Sequence, residues 1–571
     1  MTNHTPNLTD AEIATEVLPQ DNRHALNQGL AASAGPHSSS VGWLKRWFSF
    51  PVFLGAILVA ANYAIERGLR MDPDTWWHLK YGDTILQTGR WPTVDTWSFT
   101  VHGMPRVAYE WGGEILTALA YRLGGLRGMD VLLITLTSVI VLLTYYFAWL
   151  RSRNSYAAFF ATFILLPVAV LCFTLRPQLL GYIFLLVTLI SLERFRLGEQ
   201  KQLWALPLIF LLWVNTHGSF TLGFMVLGLY WLSGLKDFSA GGLYAIRWQP
   251  QQRLHIELVG LLSVAVLPLT PYGTRLAAVP FDVATSLPLN LADINEWQPL
   301  NFGFWQAKLL LVVLFGFIVA QIAFRLRFRL EEFGLFAVVV YLTMVHGRFA
   351  ILYAIVLAPL IASFFVRWAP VYNPKIDKHA INAALIVAAL LAMIWLLPSQ
   401  ASLENNLSND APVEAVRYLR HHPVPGRMFN DYGYGGYLVW ALAPQRTVFI
   451  DGRGDVYEWA GVFSDYADVV MLKPDALAVL RSYRIDSCLI RSNGSLATVL
   501  AGRSEWKVVY KDAVCAIFVR TAKELSSSPG VNVGVKSEGR RRAETGACWR
   551  HQAVLVGLDR CLEMTHQATP S

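Results

Sequence analysis

Long apolar runs separated by short polar stretches dominate this chain. They recur at about 48–66, 129–150, 156–175, 178–192, 202–214, 218–234, 255–268, 307–324, 331–345, 349–366 and 379–397. A helix needs about 20 apolar residues to cross a hydrocarbon layer roughly 30 Å thick, so most of these runs read as membrane spans. Those at 202–214 and 255–268 are short and read as tilted, re-entrant or extended by flanking polar residues.

The charges between the runs alternate. One set of connections carries Lys45 and Arg46; Arg151 and Arg153; Arg194, Arg196 and Lys201; Lys236, Arg247 and Arg253; Arg325, Arg327 and Arg329; then Arg367, Lys375 and Lys378. The short connections of the other set hold little beyond Arg176, Arg275 and Arg348. Basic residues stay on the cytoplasmic side, so this alternation predicts eleven spans with the N-terminus inside and the C-terminal region outside. The expected layout is a disordered cytoplasmic tail over 1–44, with no signal peptide, and a bundle over 45–397 with an outside loop at 67–128. A soluble α/β domain over 398–520 and a disordered tail over 521–571 complete it.

Within 398–520, Asn409-Asp410 followed by Ala411-Pro412 predicts a capped helix start. Thr447–Ile450, Ile485–Ile490, Lys507–Tyr510 and Val514–Val519 read as strands, with a helix over Pro474–Tyr483. The expected fold class is a polytopic α-helical membrane protein with a small extracytoplasmic α/β domain.

Composition agrees with this picture. The chain has 571 residues, 54% hydrophobic and only 15% charged, against roughly 25% charged in soluble chains. A net charge of +8 raises nucleic-acid binding, but the basic residues sit in the short connections where they orient spans, so that class is set aside. Cys172, Cys488, Cys515, Cys548 and Cys561 have no metal-ligand spacing; Cys488 and Cys515 are a candidate disulfide if their domain is extracytoplasmic.

Candidate chemistry concentrates on the predicted outside. Just past the first run lies Asp72-Pro73-Asp74-Thr75-Trp76-Trp77-His78, followed by Asp95-Thr96-Trp97 and Tyr109-Glu110-Trp111. Two carboxylates at i and i+2 around a proline can converge on one cation, or one can act as a general base. The plain alternative is an interfacial loop in which Asp72 caps a helix and the tryptophans anchor it. Span ends on the same side add Arg176, His217, Glu296 and Arg348. Arg176 and Arg348 are suited to a phosphate, which guanidinium binds through paired hydrogen bonds. In the last domain, Phe429-Asn430-Asp431-Tyr432-Gly433-Tyr434 and Asp451-Gly452-Arg453 combine glycines with rings that can stack on sugars. A tight turn with a tyrosine packing layer is the alternative there.

At these residues the chain resembles the GT-C superfamily of integral membrane glycosyltransferases. The Asp72–His78 stretch and Glu110-Trp111 look like the acidic first outside loop of its bacterial members. Phe429–Tyr434 is similar to a degenerate form of the Trp-Trp-Asp-Tyr-Gly segment of oligosaccharyltransferase catalytic subunits; Phe429-Asn430 stands where that segment has two tryptophans. The resemblance implies transfer of a sugar from a polyprenyl-phosphate-linked donor to a lipid, glycan or protein acceptor at the outer face of a bacterial inner membrane. It implies Asp72, Asp74 and Glu110 as the acidic machinery, with Mg or Mn on Asp72 and Asp74 if a metal is used. His78, Arg176, His217, Glu296, Arg348, Asp431, Tyr432, Tyr434, Asp451 and Arg453 are the expected substrate-binding set. The competing readings are a lipid-linked glycan flippase, expected to bury charges within its spans, and a non-catalytic glycan-assembly protein.

Overall fold

The computed structural model describes residues 45–68, 72–286 and 297–521. The two expected tails, Cys548, Cys561 and Glu296 lie outside the described residues. Each apolar run is helical. In chain order the helices are α1 (Phe50–Glu66), α2 (Thr75–Thr88), α3 (Trp111–Ser152), α4 (Ser155–Ala169), α5 (Gln178–Arg196), α6 (Leu206–Val214) and α7 (Phe220–Ser233). They continue with α8 (Pro250–Ala265), α9 (Thr274–Ser286), α10 (Trp305–Phe324), α11 (Leu330–Val345), α12 (Ala350–Phe365), α13 (His379–Trp395) and α14 (Gln400–Asp410).

Length separates these helices. Among the described residues, five are long and apolar enough to cross a membrane: Trp111–Ser152, Ser155–Cys172, Gln178–Arg196, Trp305–Phe324 and Gly347–Phe365. A sixth is added if α13 and α14, bent by 58°, form one broken span. Phe50–Glu66, Lys201–Val214 and Phe220–Ser233 are apolar but shorter, so the eleven runs are eleven helices of unequal reach. Every residue of α12 from Ala350 to Ala362 is buried, as expected of a helix that is apolar all round and therefore sits inside the bundle. α3 joins the run at 129–150 to a helical N-terminal portion that falls within the expected outside loop; the break is Gly125, in the left-handed region (φ 59°).

The end of the bundle that carries the basic connections is tied by buried ion pairs. Arg329 donates to Glu193 (2.6 Å) and Glu332 (2.9 Å), Arg196 to Glu331 (2.8 Å), and Arg151 to Glu332 (2.5 Å). Three of the arginines that mark orientation in the sequence thus also lock α3, α5 and α11 together. Each is compensated by a carboxylate, as burial requires. A three-stranded sheet of β1 (Phe238–Ala240), β2 (Leu243–Ala245) and β3 (Phe328–Arg329) joins the same region.

After α14 the chain forms the α/β region: α15 (Val413–His421), β4 (Arg427–Asn430), α16 (Tyr432–Leu442), α17 (Gly454–Trp459), α18 (Val462–Val470), α19 (Ala476–Ser482), β5 (Ile485–Arg491), α20 (Ser495–Ala501), β6 (Trp506–Lys511) and β7 (Cys515–Arg520). The sheet order is β4-β5-β7-β6, with β4 parallel to β5 and the other pairs antiparallel.

Three expectations need correction here. Thr447–Ile450 is not a strand: Val448 instead exchanges backbone hydrogen bonds with the first outside loop, through Trp97 O (3.0 Å) and Phe99 N (3.2 Å). Its apolar alternation reflects burial between two segments, and Arg427–Asn430 takes the sheet position. Asn409 and Asp410 end α14 and do not cap α15, which starts after Pro412. Cys488 and Cys515 are both buried free thiols; Cys488 stands opposite Phe518, and Cys515 opposite Arg491, three positions along the same ladder.

Candidate active site

The turn Asp72-Pro73-Asp74 leads directly into α2. Asp72 Oδ1 accepts the Asp74 backbone N–H (2.9 Å), which closes the turn. Thr75 Oγ1 donates to the Leu175 carbonyl (3.1 Å), pinning the start of α2 beside the segment that carries Arg176. Arg176 then meets both carboxylates, at 2.7 Å from Asp72 and 3.1 Å from Asp74. The Trp77 indole N–H donates to the remaining oxygen of Asp74 (3.1 Å). Asp72 therefore closes the turn ahead of α2, whose N-cap position is Asp74, and it is also part of an ion cluster.

Two residues after Arg176, Gln178 opens α5. Arg348 approaches the same helix end, donating to Gln178 Oε1 (3.4 Å) while its guanidinium stacks 4.2 Å from the Trp297 ring. Among the described residues no carboxylate pairs with Arg348. The Leu179 and Leu180 N–H groups at this helix end already donate to the Arg176 and Pro177 carbonyls (3.2 and 3.0 Å), so an anion here would be held by the Arg348 guanidinium.

Glu110, immediately before α3, joins the third part of the site. Its two oxygens lie 3.3 Å from His78 Nε2 and 3.2 Å from His217 Nε2. The connection holding His217 is fastened to α3 by Trp111 Nε1 to Asn215 Oδ1 (3.0 Å) and Gly112 N to Asn215 O (3.0 Å). Burial pushes Glu110 up to about 8, against the pull of Arg176 and Arg348. Burial, reinforced by the nearby arginines, pushes His217 down to about 3 and His78 well below its ordinary range. Both imidazoles are neutral near pH 7, and Glu110 is largely in its acid form.

The structure thus gathers Asp72, Asp74, His78, Glu110, Arg176, His217 and Arg348 around the N-terminus of α5. The candidates of the last region fall elsewhere. Arg453 is fully enclosed and donates to Asp451 (2.7 Å), Asp95 (2.5 Å), Tyr81 (3.2 Å) and Tyr457 (3.2 Å), a cluster that bolts the α/β region onto the first loop. Asp451 is equally buried. Tyr434 is buried and donates to the Val514 carbonyl (3.0 Å). Asp431 caps α16 by accepting from Gly433 N (3.0 Å), and Arg491 reaches it at 3.3 Å. Tyr432 is half-buried, its hydroxyl 3.4 Å from the Gly452 carbonyl. Asn430, within the segment likened to Trp-Trp-Asp-Tyr-Gly, holds the Ile450 carbonyl and Phe449 N–H (both 2.8 Å), a packing role. Gly452 links this region to the site, for a Cβ there would fall 1.7 Å from Asp74 Oδ1.

The expected Mg or Mn does not fit Asp72 and Asp74 as they stand, because the Arg176 guanidinium already lies against both carboxylates. Among the described residues no group of three or more His, Cys, Asp or Glu is spaced to hold a metal ion. Glu114 was missed in the sequence; its position four residues after Glu110 at a helix start was the available signal.

No protein-family profile matches the sequence, and no curated protein sequence matches it. Solved structures do. The Archaeoglobus fulgidus oligosaccharyltransferase tethered with an acceptor peptide is 13% identical, with 84% of this chain and 75% of that one covered and a TM-score of 0.50. ArnT from Cupriavidus metallidurans bound to undecaprenyl phosphate is 14% identical over 85% and 99% of the two chains, TM-score 0.45. The mycobacterial arabinofuranosyltransferase AftD is 11% identical over 85% and 40%, TM-score 0.46. The chain carries helices long and apolar enough to cross a membrane and has a GT-C-like fold, with a distant likeness in sequence to the oligosaccharyltransferase structure.

Proposed function

We propose that the chain is a membrane glycosyltransferase that moves a sugar from a polyprenyl-phosphate-linked donor to a lipid, glycan or protein acceptor on the extracytoplasmic face of a bacterial inner membrane. The observation that carries this reading is the meeting of a carboxylate pair with an anion site at one helix end: Asp72 and Asp74 on Arg176, with Arg348 beside Gln178.

Asp74 is the general base in this reading, because Asp72 is committed to the turn. Asp74 takes the acceptor hydroxyl proton while the acceptor oxygen bonds to the anomeric carbon and the bond from that carbon to the phosphate oxygen breaks. The departing phosphate carries the new negative charge, which Arg348 stabilises. Attack from the side opposite the phosphate inverts the anomeric centre. Arg176 positions the carboxylates, and Tyr432, whose hydroxyl lies 3.4 Å from the Gly452 carbonyl, is assigned to the acceptor side. No step passes through a metal. The flippase reading is disfavoured because most of the charged residues lie at the ends of the apolar helices.

The test is incubation of the purified full-length protein with a panel of polyprenyl-phosphate sugars together with a mixture of lipid, glycan and peptide acceptors, reading released polyprenyl phosphate. Release that falls at least a hundredfold in Asp74→Asn, with the variant still inserted and monodisperse, supports the assignment. Unchanged release in that variant removes Asp74 as the base, and no release from any donor removes the transferase reading.

A further inference from the structure

Behind Glu110 lies a second carboxyl that faces no substrate. Glu114 is buried one turn into α3, and its Oε1 sits 3.1 Å from His78 Nδ1, while His78 Nε2 faces Glu110 at 3.3 Å. The approach of α2 to α3 that permits this is close: a Cβ on Gly82 would fall 2.0 Å from the Glu114 carbonyl oxygen.

One hydrogen position follows from a backbone donor. The Ser219 backbone N–H donates to His217 Nδ1 (3.0 Å), so that nitrogen is an acceptor. The proton of neutral His217 therefore sits on Nε2, which faces Glu110 Oε1 at 3.2 Å. His78 has one N–H to place. On Nδ1 it is donated to Glu114, leaving Nε2 to accept a proton from Glu110 Oε2. Glu110 is then a carboxylic acid with its hydroxyl toward His78 and its carbonyl oxygen toward the His217 N–H, while among the described residues Glu114 Oε2 has no hydrogen-bond partner.

We propose that Glu114, acting through His78, is a positioning residue that holds Glu110 as a neutral acid, so that the anion site at Arg348 does not face a second negative charge. This rests on the phosphate-donor reading above. The charged and titratable groups around Glu110 are Asp74, Arg106, Arg176, His217 and Arg348. Four of these are common to any arrangement of the imidazole, and His217 is fixed by Ser219. The His78 tautomer is the remaining variable, and Glu114 sets it.

The experiment is equilibrium binding of polyprenyl phosphate in detergent micelles to the full-length protein, followed from pH 6 to pH 9. Wild-type affinity should weaken as pH rises through about 8, where Glu110 gains charge. Glu114→Leu removes the acceptor for the Nδ1 proton and should move that weakening at least one pH unit lower. Glu114→Gln, whose amide oxygen still accepts, should restore the wild-type profile. In a Glu110→Gln background the Glu114→Leu change should have no effect. If Glu114→Leu does not yield folded protein, His78→Leu carries the same expectation. An unshifted profile in Glu114→Leu, or a Glu114→Gln profile as displaced as that of Glu114→Leu, overturns the proposal while leaving the donor reading standing. A wild-type protein that does not bind polyprenyl phosphate overturns both.

Discussion

Replacing Glu110 with Gln removes a buried titrating group while keeping a side chain of nearly the same shape. Burial raises the Glu110 carboxyl from an ordinary 4.5 to about 8. The folded state therefore binds this proton more tightly than the unfolded chain does. The resulting stability is fully present below pH 4.5 and is lost as pH rises through about 8. Each pH unit of that interval corresponds to about 1.4 kcal/mol, so the span from pH 5 to pH 8 carries about 4 kcal/mol. Glu110→Gln has no proton to lose there. The unfolding free energy of wild type relative to the variant should thus fall by about 4 kcal/mol between pH 5 and pH 8. The neutral histidines act in the opposite window. His217, held near 3, contributes stability above its ordinary 6.5 that is lost as pH falls, and it cancels in the difference because both proteins retain it. Denaturant unfolding in detergent, followed by tryptophan fluorescence at several pH values, measures the quantity. Parallel stability curves for the two proteins would refute the assignment of Glu110 as a buried acid.

Other consequences are as direct. Arg348→Ala should raise the KM for a polyprenyl-phosphate donor roughly tenfold or more, the worth of a charge-assisted hydrogen bond, while acceptor preference stays as it was; competition among acceptors checks the second half. Gly452→Ala forces a methyl group onto Asp74 Oδ1, so transfer should drop at least tenfold although the α/β region keeps its stability, a split read by activity against thermal unfolding. A membrane-impermeant maleimide should label Arg491→Cys from the extracytoplasmic side and Lys201→Cys only after permeabilisation; the reverse pattern would invert the orientation read from the basic connections.

Much of the architecture was legible because it depends on local pattern. Apolar runs become helices wherever they lie, since a backbone inside lipid must satisfy its own hydrogen bonds. The sheet of the last region was partly legible for the same reason: Ile485–Arg491 and Cys515–Arg520 are strands with strongly apolar, buried centres. Thr447–Ile450 misled because burial against the first loop leaves the same signature as burial in a sheet. The helical stretch before Gly125 is not announced by the sequence because its glycines and the charges of Glu114 and Arg122 keep it from reading as one apolar run with 129–150.

The site divides along the same line. Sequence alone determined which residue types were present and on which face of the bundle: the acidic turn at Asp72-Pro73-Asp74, Glu110, and histidines and arginines at the matching span ends. Partnership was decided only by the tertiary structure. Asp72 and Arg176 are 104 residues apart, His78 and Glu114 are 36 apart, and Asp95 and Arg453 are 358 apart. No local periodicity encodes separations of that size. Three-dimensional packing sent Asp451 and Arg453, which resembled a sugar site, into a sealed ion cluster, because a buried guanidinium needs carboxylates wherever the fold supplies them. It left Arg348 at the start of α5 without one among the described residues, and that difference in pairing distinguishes a structural arginine from a candidate phosphate ligand.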